Sequence, residues 1–156
     1  MFRKIRKTSR SWTEFVNGGH RYEHWLVDNQ VYFITAHVRD HQHAFSTEEA
    51  KAIFWDRFNH HSHTNGFTPW VTSLLSNHYH TIGYLKLGKG LPVMMQRIHG
   101  SVAKLVNDTL PERIPEFWRN FKGHEYFDGC IRHERQARRA YKYTLEQSVR
   151  HRLLRD

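Results

Sequence analysis

The sequence predicts an α+β fold, a ferredoxin-like β-α-β-β-α-β sandwich with an added C-terminal helix that carries a tyrosine. Three observations lead there. Short β-branched and aromatic runs alternate with longer stretches of helical periodicity. Two of those runs, Phe67 to Leu75 and His78 to Leu85, are parted only by Ser76-Asn77, which is hairpin spacing. A last amphipathic stretch, from Glu134 to about Leu153, follows the final short run.

Taken in order, Gln30 to Val38 is rich in β-branched and aromatic residues and reads as a buried strand. Ser46-Thr47-Glu48-Glu49 reads as a capping box, with Ser46 at the N-cap and Glu49 reaching back. Ala50, Ile53, Phe54 and Phe58 then share one side of a helix that Asn65-Gly66 ends. After the hairpin, Lys86 to Gly90 is a loop, and Pro92 suits the first turn of a second helix. Leu91, Met94, Met95, Ile98, Val102, Leu105 and Val106 recur at 3–4 spacing, so this methionine stripe is core. A link from Pro111 to Gly123, holding Phe117 and Trp118, leads to a short strand over Tyr126 to Ile131. On the terminal helix, Tyr141, Leu145, Val149 and Leu153 recur every four residues and are expected to be its buried stripe. Tyr143 lies about 200° of rotation from Tyr141. It shares a polar face with Arg139, Gln147 and Arg150. Read alone, this is an ordinary amphipathic helix with a solvated tyrosine.

A chain of 156 residues forms one domain by length, here residues 30–156 behind a basic arm, 1–29. The 24 Lys and Arg outnumber 15 Asp and Glu, for a net charge of +9. Such an excess points to a polyanion, nucleic acid first and an anionic membrane surface second. No basic amphipathic helix with a clean apolar face supports the membrane. In the arm, Arg3, Lys4, Arg6, Lys7 and Arg10 precede Trp12, Phe15, Tyr22 and Trp25. That pattern is either a solvated tail or a track for a phosphate backbone with stacking platforms. The single cysteine, Cys130, excludes an intrachain disulfide and a Cys₂His₂ zinc site, and suits a reducing cytoplasm. No apolar stretch approaches the ~18 residues of a membrane span.

Ser76-Asn77-His78-Tyr79-His80-Thr81 is the chemically suggestive stretch. On a strand, side chains alternate faces, so His78 and His80 point the same way while Tyr79 points into the opposite layer. Two imidazoles about 7 Å apart along a rigid strand can converge on one metal ion. His41/His43 and His61/His63 repeat the spacing, but neither pair has a flanking apolar frame to fix both rings. The alternative for any such pair is an incidental one in a chain with 14 histidines.

Taken together, a strand-borne His-hydrophobic-His, a helical Tyr with Gln four residues on, the element order and the basic surface resemble the single-tyrosine HUH transposases. The closest pattern is that of the REP-associated tyrosine transposases, relatives of the insertion-sequence-200-like enzymes. The resemblance covers about residues 22–154. It runs through Glu23-His24-Trp25, Val31 to Thr35, Ser76 to His80, Phe117-Trp118-Arg119, Phe127-Asp128, Cys130-Ile131-Arg132 and Tyr143 to Arg150. The sequence departs in having Tyr79 where the family usually has an aliphatic residue. It also has Gln147-Ser148 where REP-associated members usually carry Asn-Pro.

The resemblance implies that His78, His80 and Gln147 are metal ligands and Tyr143 is the nucleophile. Mg²⁺ or Mn²⁺ is the expected ion, imidazoles favouring Mn²⁺ and availability favouring Mg²⁺. The implied reaction cleaves and rejoins single-stranded DNA through a 5′-phosphotyrosine. The implied substrate is hairpin-forming, REP-like DNA, in a bacterial, nucleoid-associated setting, with a homodimer as an allowed assembly. Arg119, Lys122, Arg132, Arg135, Arg138, Arg139 and Arg150 are expected phosphate contacts beside the arm. Three other readings stand beside this one: a non-cleaving hairpin-binding protein of the same fold, a metal-dependent nuclease that uses water, and a structural metal domain.

Overall fold

The computed structural model describes residues 26–120 and 123–150, with side chains as far as residue 147. Arg3, Lys4, Arg6, Lys7, Arg10, Trp12 and Lys122, and the side chain of Arg150, therefore lie outside the described residues. The strands are β1 (Gln30–His37), β2 (Phe67–Leu74), β3 (His78–Leu85) and β4 (Phe127–Ile131). The helices are α1 (Glu48–Thr64), α2 (Gly90–Asn107) and α3 (Glu134–Arg150). The sheet runs β2-β3-β1-β4 with every neighbouring pair antiparallel, which is the ferredoxin-like order that the sequence predicts. Among the described residues, no helix is long and apolar enough to cross a membrane.

Alternation along β1 and β3 divides the molecule into two chemically different halves. Tyr32, Ile34, Ala36 and Val38 from β1 and beyond, with Tyr79 and Leu85 from β3, meet α1 and α2 in the main apolar core. Phe54 and Phe58 of α1 and Met94, Ile98 and Val102 of α2 complete it. The opposite face carries a smaller cluster of Val31, Phe33, Ile82, Ile131, Ala137 and Ala140, and among the described residues α3 covers it. The candidate site occupies this thinner side.

The N-cap lies one residue beyond the expected capping box, and with Ala50 at N3 the reciprocal glutamate bond of such a box has no place. Thr47, extended at φ −98° and ψ 152°, is the N-cap of α1, and its Oγ1 accepts from Ala50 N–H at 3.1 Å. Ser46 instead donates its hydroxyl to the His43 carbonyl at 2.8 Å. Both hydroxyls are chemically fit to cap, and the backbone angle at residue 47 decides between them.

The expected stripe of α3 is also corrected. Tyr141 and Leu145 are 41% and 50% exposed, while Gln136, Ala137, Ala140, Thr144 and Gln147 are buried. At 100° per residue the buried residues and Tyr143 span a single arc, and Tyr141 falls outside it. Small residues on that arc let the helix sit low on the sheet. Ser73 of β2 donates to the Thr144 carbonyl, and Thr144 Oγ1 donates to Ala140 O at 2.8 Å. The large apolar side chains are turned away because the close approach leaves them no room.

Candidate active site

β3 fixes His78 and His80 on the thin side of the sheet, their ring centroids 5.0 Å apart and nearly perpendicular at 83°. His80 is buried, and His78 is half-buried at the strand's start. Each ring is held from its Nδ1. His78 Nδ1 lies 2.6 Å from Asn77 Oδ1, an acceptor, so Nδ1 carries the proton and Nε2 is the ligand-type nitrogen. His80 Nδ1 lies 2.7 Å from Thr35 Oγ1, which can accept in the same way. A metal-binding histidine needs this arrangement, one nitrogen donating to a fixed partner and the other pointing outward.

The face above them is built by α3. The Tyr143 ring stands edge-on to His80 at 5.3 Å and to Phe33 at 6.1 Å, and Phe33 stacks parallel to His80 at 5.9 Å and 6°. Gln147, buried one turn beyond, donates its Nε2 to the Tyr143 carbonyl at 3.3 Å. An amide tethered by its nitrogen keeps its oxygen for a cation. Two imidazoles and an amide oxygen form a donor set suited to a divalent ion of the Mn²⁺ or Mg²⁺ class. Among the described residues, no group of three or more His, Cys, Asp and Glu converges as a metal site.

The register adds residues that sequence reasoning missed. His37 of β1 stands directly opposite His78, and the two rings stack at 4.8 Å and 16°. His41 meets His37 edge-on at 5.9 Å. A line of rings thus runs from His41 through His37, His78 and His80 to Tyr143. Burial, then the neighbouring Arg119 and His41, pushes the His37 pKa down to about 4. Thr35 and His37 carried a usable signal, since they alternate with the apolar Ile34 and Ala36, but only strand pairing shows which histidine they face.

Of the other histidine pairs, His41/His43 sits on an irregular turn beside the site, and His61/His63 lies at the far end of α1. Of the expected DNA contacts, Arg119 is exposed at the site's rim, where Arg119 N–H donates to His37 O at 2.8 Å. Arg132 follows β4, half-buried, with its N–H on Gln136 Oε1 at 2.9 Å. Arg135, Arg138 and Arg139 are exposed on α3, and Arg138 pairs with Glu134 at 2.6 Å.

On the other side of β3, Tyr79 projects into the main core and its hydroxyl meets His99 Nε2 at 2.9 Å. His99 Nδ1 faces Glu125 Oε2 at 3.3 Å, and its ring lies on Trp118 at 4.1 Å and 14°. Burial lowers the His99 pKa and raises that of Tyr79, so a neutral imidazole accepts from the phenol and donates to the carboxylate. The unusual tyrosine between the site histidines is therefore anchored by a polar partner.

No protein-family model and no curated protein matches this sequence. Solved structures do match it in three dimensions. A REP-associated tyrosine transposase bound to a REP hairpin superposes with a TM-score of 0.67 at 16% identity, covering 85% of this chain and 74% of the other. A candidate transposase from Deinococcus radiodurans superposes with a TM-score of 0.54 at 14% identity, covering 82% and 98%. At such identities the likeness establishes a shared fold.

Proposed function

We propose that this protein is a metal-dependent single-tyrosine HUH transposase that cleaves and rejoins single-stranded DNA at hairpin-forming, REP-like sequences. The observation that carries the reading is the packing of Tyr143 against His80, with His78 beside it and Gln147 one helical turn on. The shared fold with a transposase bound to a REP hairpin supports it, as does the net charge of +9.

His78 and His80 would hold the divalent ion through Nε2, with Gln147 as the third protein ligand. When bound, the ion would neutralise the non-bridging oxygens of the scissile phosphate and orient it. Thr35 and Asn77 keep both imidazoles in the ligand tautomer. Phe33 and His80 set the plane of the Tyr143 ring, so its hydroxyl is presented from a fixed position. The Tyr143 oxygen attacks phosphorus in line, giving up its proton as the bond to the 3′-oxygen breaks and that oxygen takes one up. The products are a 5′-phosphotyrosine and a free 3′-hydroxyl. Attack by another 3′-hydroxyl reverses the step and joins strands with no nucleotide cofactor.

The test incubates the protein with end-labelled hairpin DNA bearing a single-stranded flank, with and without Mn²⁺, and resolves the products on a denaturing gel. A protein-linked strand that needs Mn²⁺ and Tyr143 supports the proposal. Free fragments alone would identify a nuclease, and binding without cleavage a hairpin-gripping protein; either result replaces this reading.

A further inference from the structure

Tyr79, His99 and Glu125 form a polar chain through the main core, on the far side of the sheet from the candidate site. Tyr79 stands on β3 between His78 and His80, points the other way and is fully buried. Its hydroxyl meets Nε2 of His99, on α2, at 2.9 Å. At the other edge of that ring, Nδ1 faces Glu125 Oε2 at 3.3 Å. A carboxylate oxygen only accepts, so Nδ1 carries the proton and Nε2 accepts from the phenol. The backbone of His99 is held as well: its carbonyl accepts from Trp118 Nε1 at 3.0 Å, while the Trp118 ring stacks on the imidazole.

Burial alone does not account for this chain. Phe54, Phe58 and Trp118 already surround the Tyr79 ring, and an apolar residue there would fill the core with no hydroxyl to satisfy. What the hydrogen bond adds is direction. Dispersion lets a ring slide, whereas an O–H···N contact fixes distance and angle. Tyr79 is where direction matters, because it is the first β3 residue in register with both neighbours, Ala36 of β1 and Leu74 of β2, and the two histidines flank it. A ligand set works only when held within about 0.5 Å of its productive geometry. A second path from His99 ends at the same place. Trp118 forms a β-bridge with Val38, and Arg119 N–H donates to the carbonyl of His37, whose ring stacks on His78. Resting on the transposase reading above, we propose that His99 is a positioning residue for the metal pair. Acting through Tyr79, and with Glu125 fixing its tautomer, it sets the alignment of β3 at which His78 and His80 meet one divalent ion. It touches neither the ion nor the DNA.

The experiment titrates Mn²⁺ into the full-length protein by calorimetry, well below each variant's melting temperature, and records the histidine ring signals of the metal-free protein by NMR. Tyr79→Phe removes one oxygen and keeps the ring contacts. It is expected to weaken Mn²⁺ binding by about 2- to 30-fold, the reach of coupling through a packed network, and to move the His78 and His80 signals before metal is added. His99→Gln should weaken binding likewise, and the double variant should lose no more than the worse single one, because both changes break one bond. Glu125→Gln keeps an acceptor oxygen for Nδ1 and should stay near the wild type, whereas Glu125→Leu should behave as Tyr79→Phe does. Val106→Ala, a buried change on α2 outside the chain, should lower the melting temperature and leave the affinity alone. Wild-type affinity in Tyr79→Phe overturns the proposal. An equal loss in Val106→Ala overturns it too, since that marks a general response to a softened core. A wild type that binds no Mn²⁺ would overturn the metal-dependent function itself and this proposal with it, a result plainly different from binding that ignores Tyr79.

Discussion

Tyr143 and Tyr141 lie two residues apart on α3 but in different surroundings, one against His80 and Phe33 and the other 41% exposed. Tyr143→Phe deletes one oxygen and keeps the ring contacts. It is expected to abolish the protein–DNA adduct while leaving the melting temperature and DNA affinity within error, as read by gel, melt and anisotropy. Tyr141→Ala should keep the adduct and cost no more than about 1 kcal/mol, because surface changes are small; a larger loss would mean that the helix face is wrong. His78→Ala and His80→Ala should each remove Mn²⁺ binding in calorimetry. Thr35→Val, which keeps shape and removes the hydroxyl behind His80 Nδ1, should weaken it by about tenfold or more. Buried His99 gives a prediction in pH. Its neighbours are Tyr79 from β3, Glu125 and Tyr126 from the segment before β4, and Trp118. Burial lowers its folded pKa below the ordinary 6.5, so below that pH the unfolded chain binds the extra proton and stability falls on acidification. The pKa of Glu125 is lowered too, mainly by its bond to His99, so its own contribution is present above the ordinary 4.5 and is lost only in stronger acid. In denaturant titrations between pH 7 and 5, His99→Gln should flatten the stability slope whatever it does to its height.

The strands were legible nearly to the residue, because a half-buried sheet imposes period-2 alternation and Ser76-Asn77 leaves the hairpin little choice of register. The face of α3 was not. Hydropathy points outward through Tyr141 and Leu145, while packing is decided by the small Ala137, Ala140 and Thr144, which allow close approach. The site divides in the same way. His78 and His80 could be read because one strand carries both, whereas His37 and Thr35 enter only through the pairing of β1 with β3, a long-range fact that no local pattern encodes. One glycine tests the sheet's own geometry. A Cβ at Gly83 of β3 would lie 2.7 Å from Pro69 Cα and 2.7 Å from the Phe67 ring, and closer still to the Thr68 carbonyl. These neighbours belong to the stretch of β2 where the register shifts between Pro69 and Val71. Gly83→Ala is therefore expected to destabilise the protein by about 2–3 kcal/mol in a denaturant melt, since backbone atoms cannot step aside.

Across the whole molecule, the proposed function makes charge the term that would set how DNA is met. With a net charge of +9, affinity for a hairpin bearing a single-stranded flank should fall linearly on a log–log plot against salt and exceed that for a blunt duplex of equal length. A salt-independent affinity, or a preference for the duplex, would contradict a surface built for displaced counterions. The broadest consequence belongs to the unequal halves of the sheet. The thick side, where α1 and α2 meet the large rings and methionines, holds most of the apolar core, and the thin side under α3 holds the candidate chemistry. Mutations on the two sides therefore face different selection. A lineage that lost Tyr143 or His80 would keep a folded, basic protein, available for retention in a new role. One that truncated Phe54 or Met94 to alanine would give up about 2–5 kcal/mol of the stability on which either role depends.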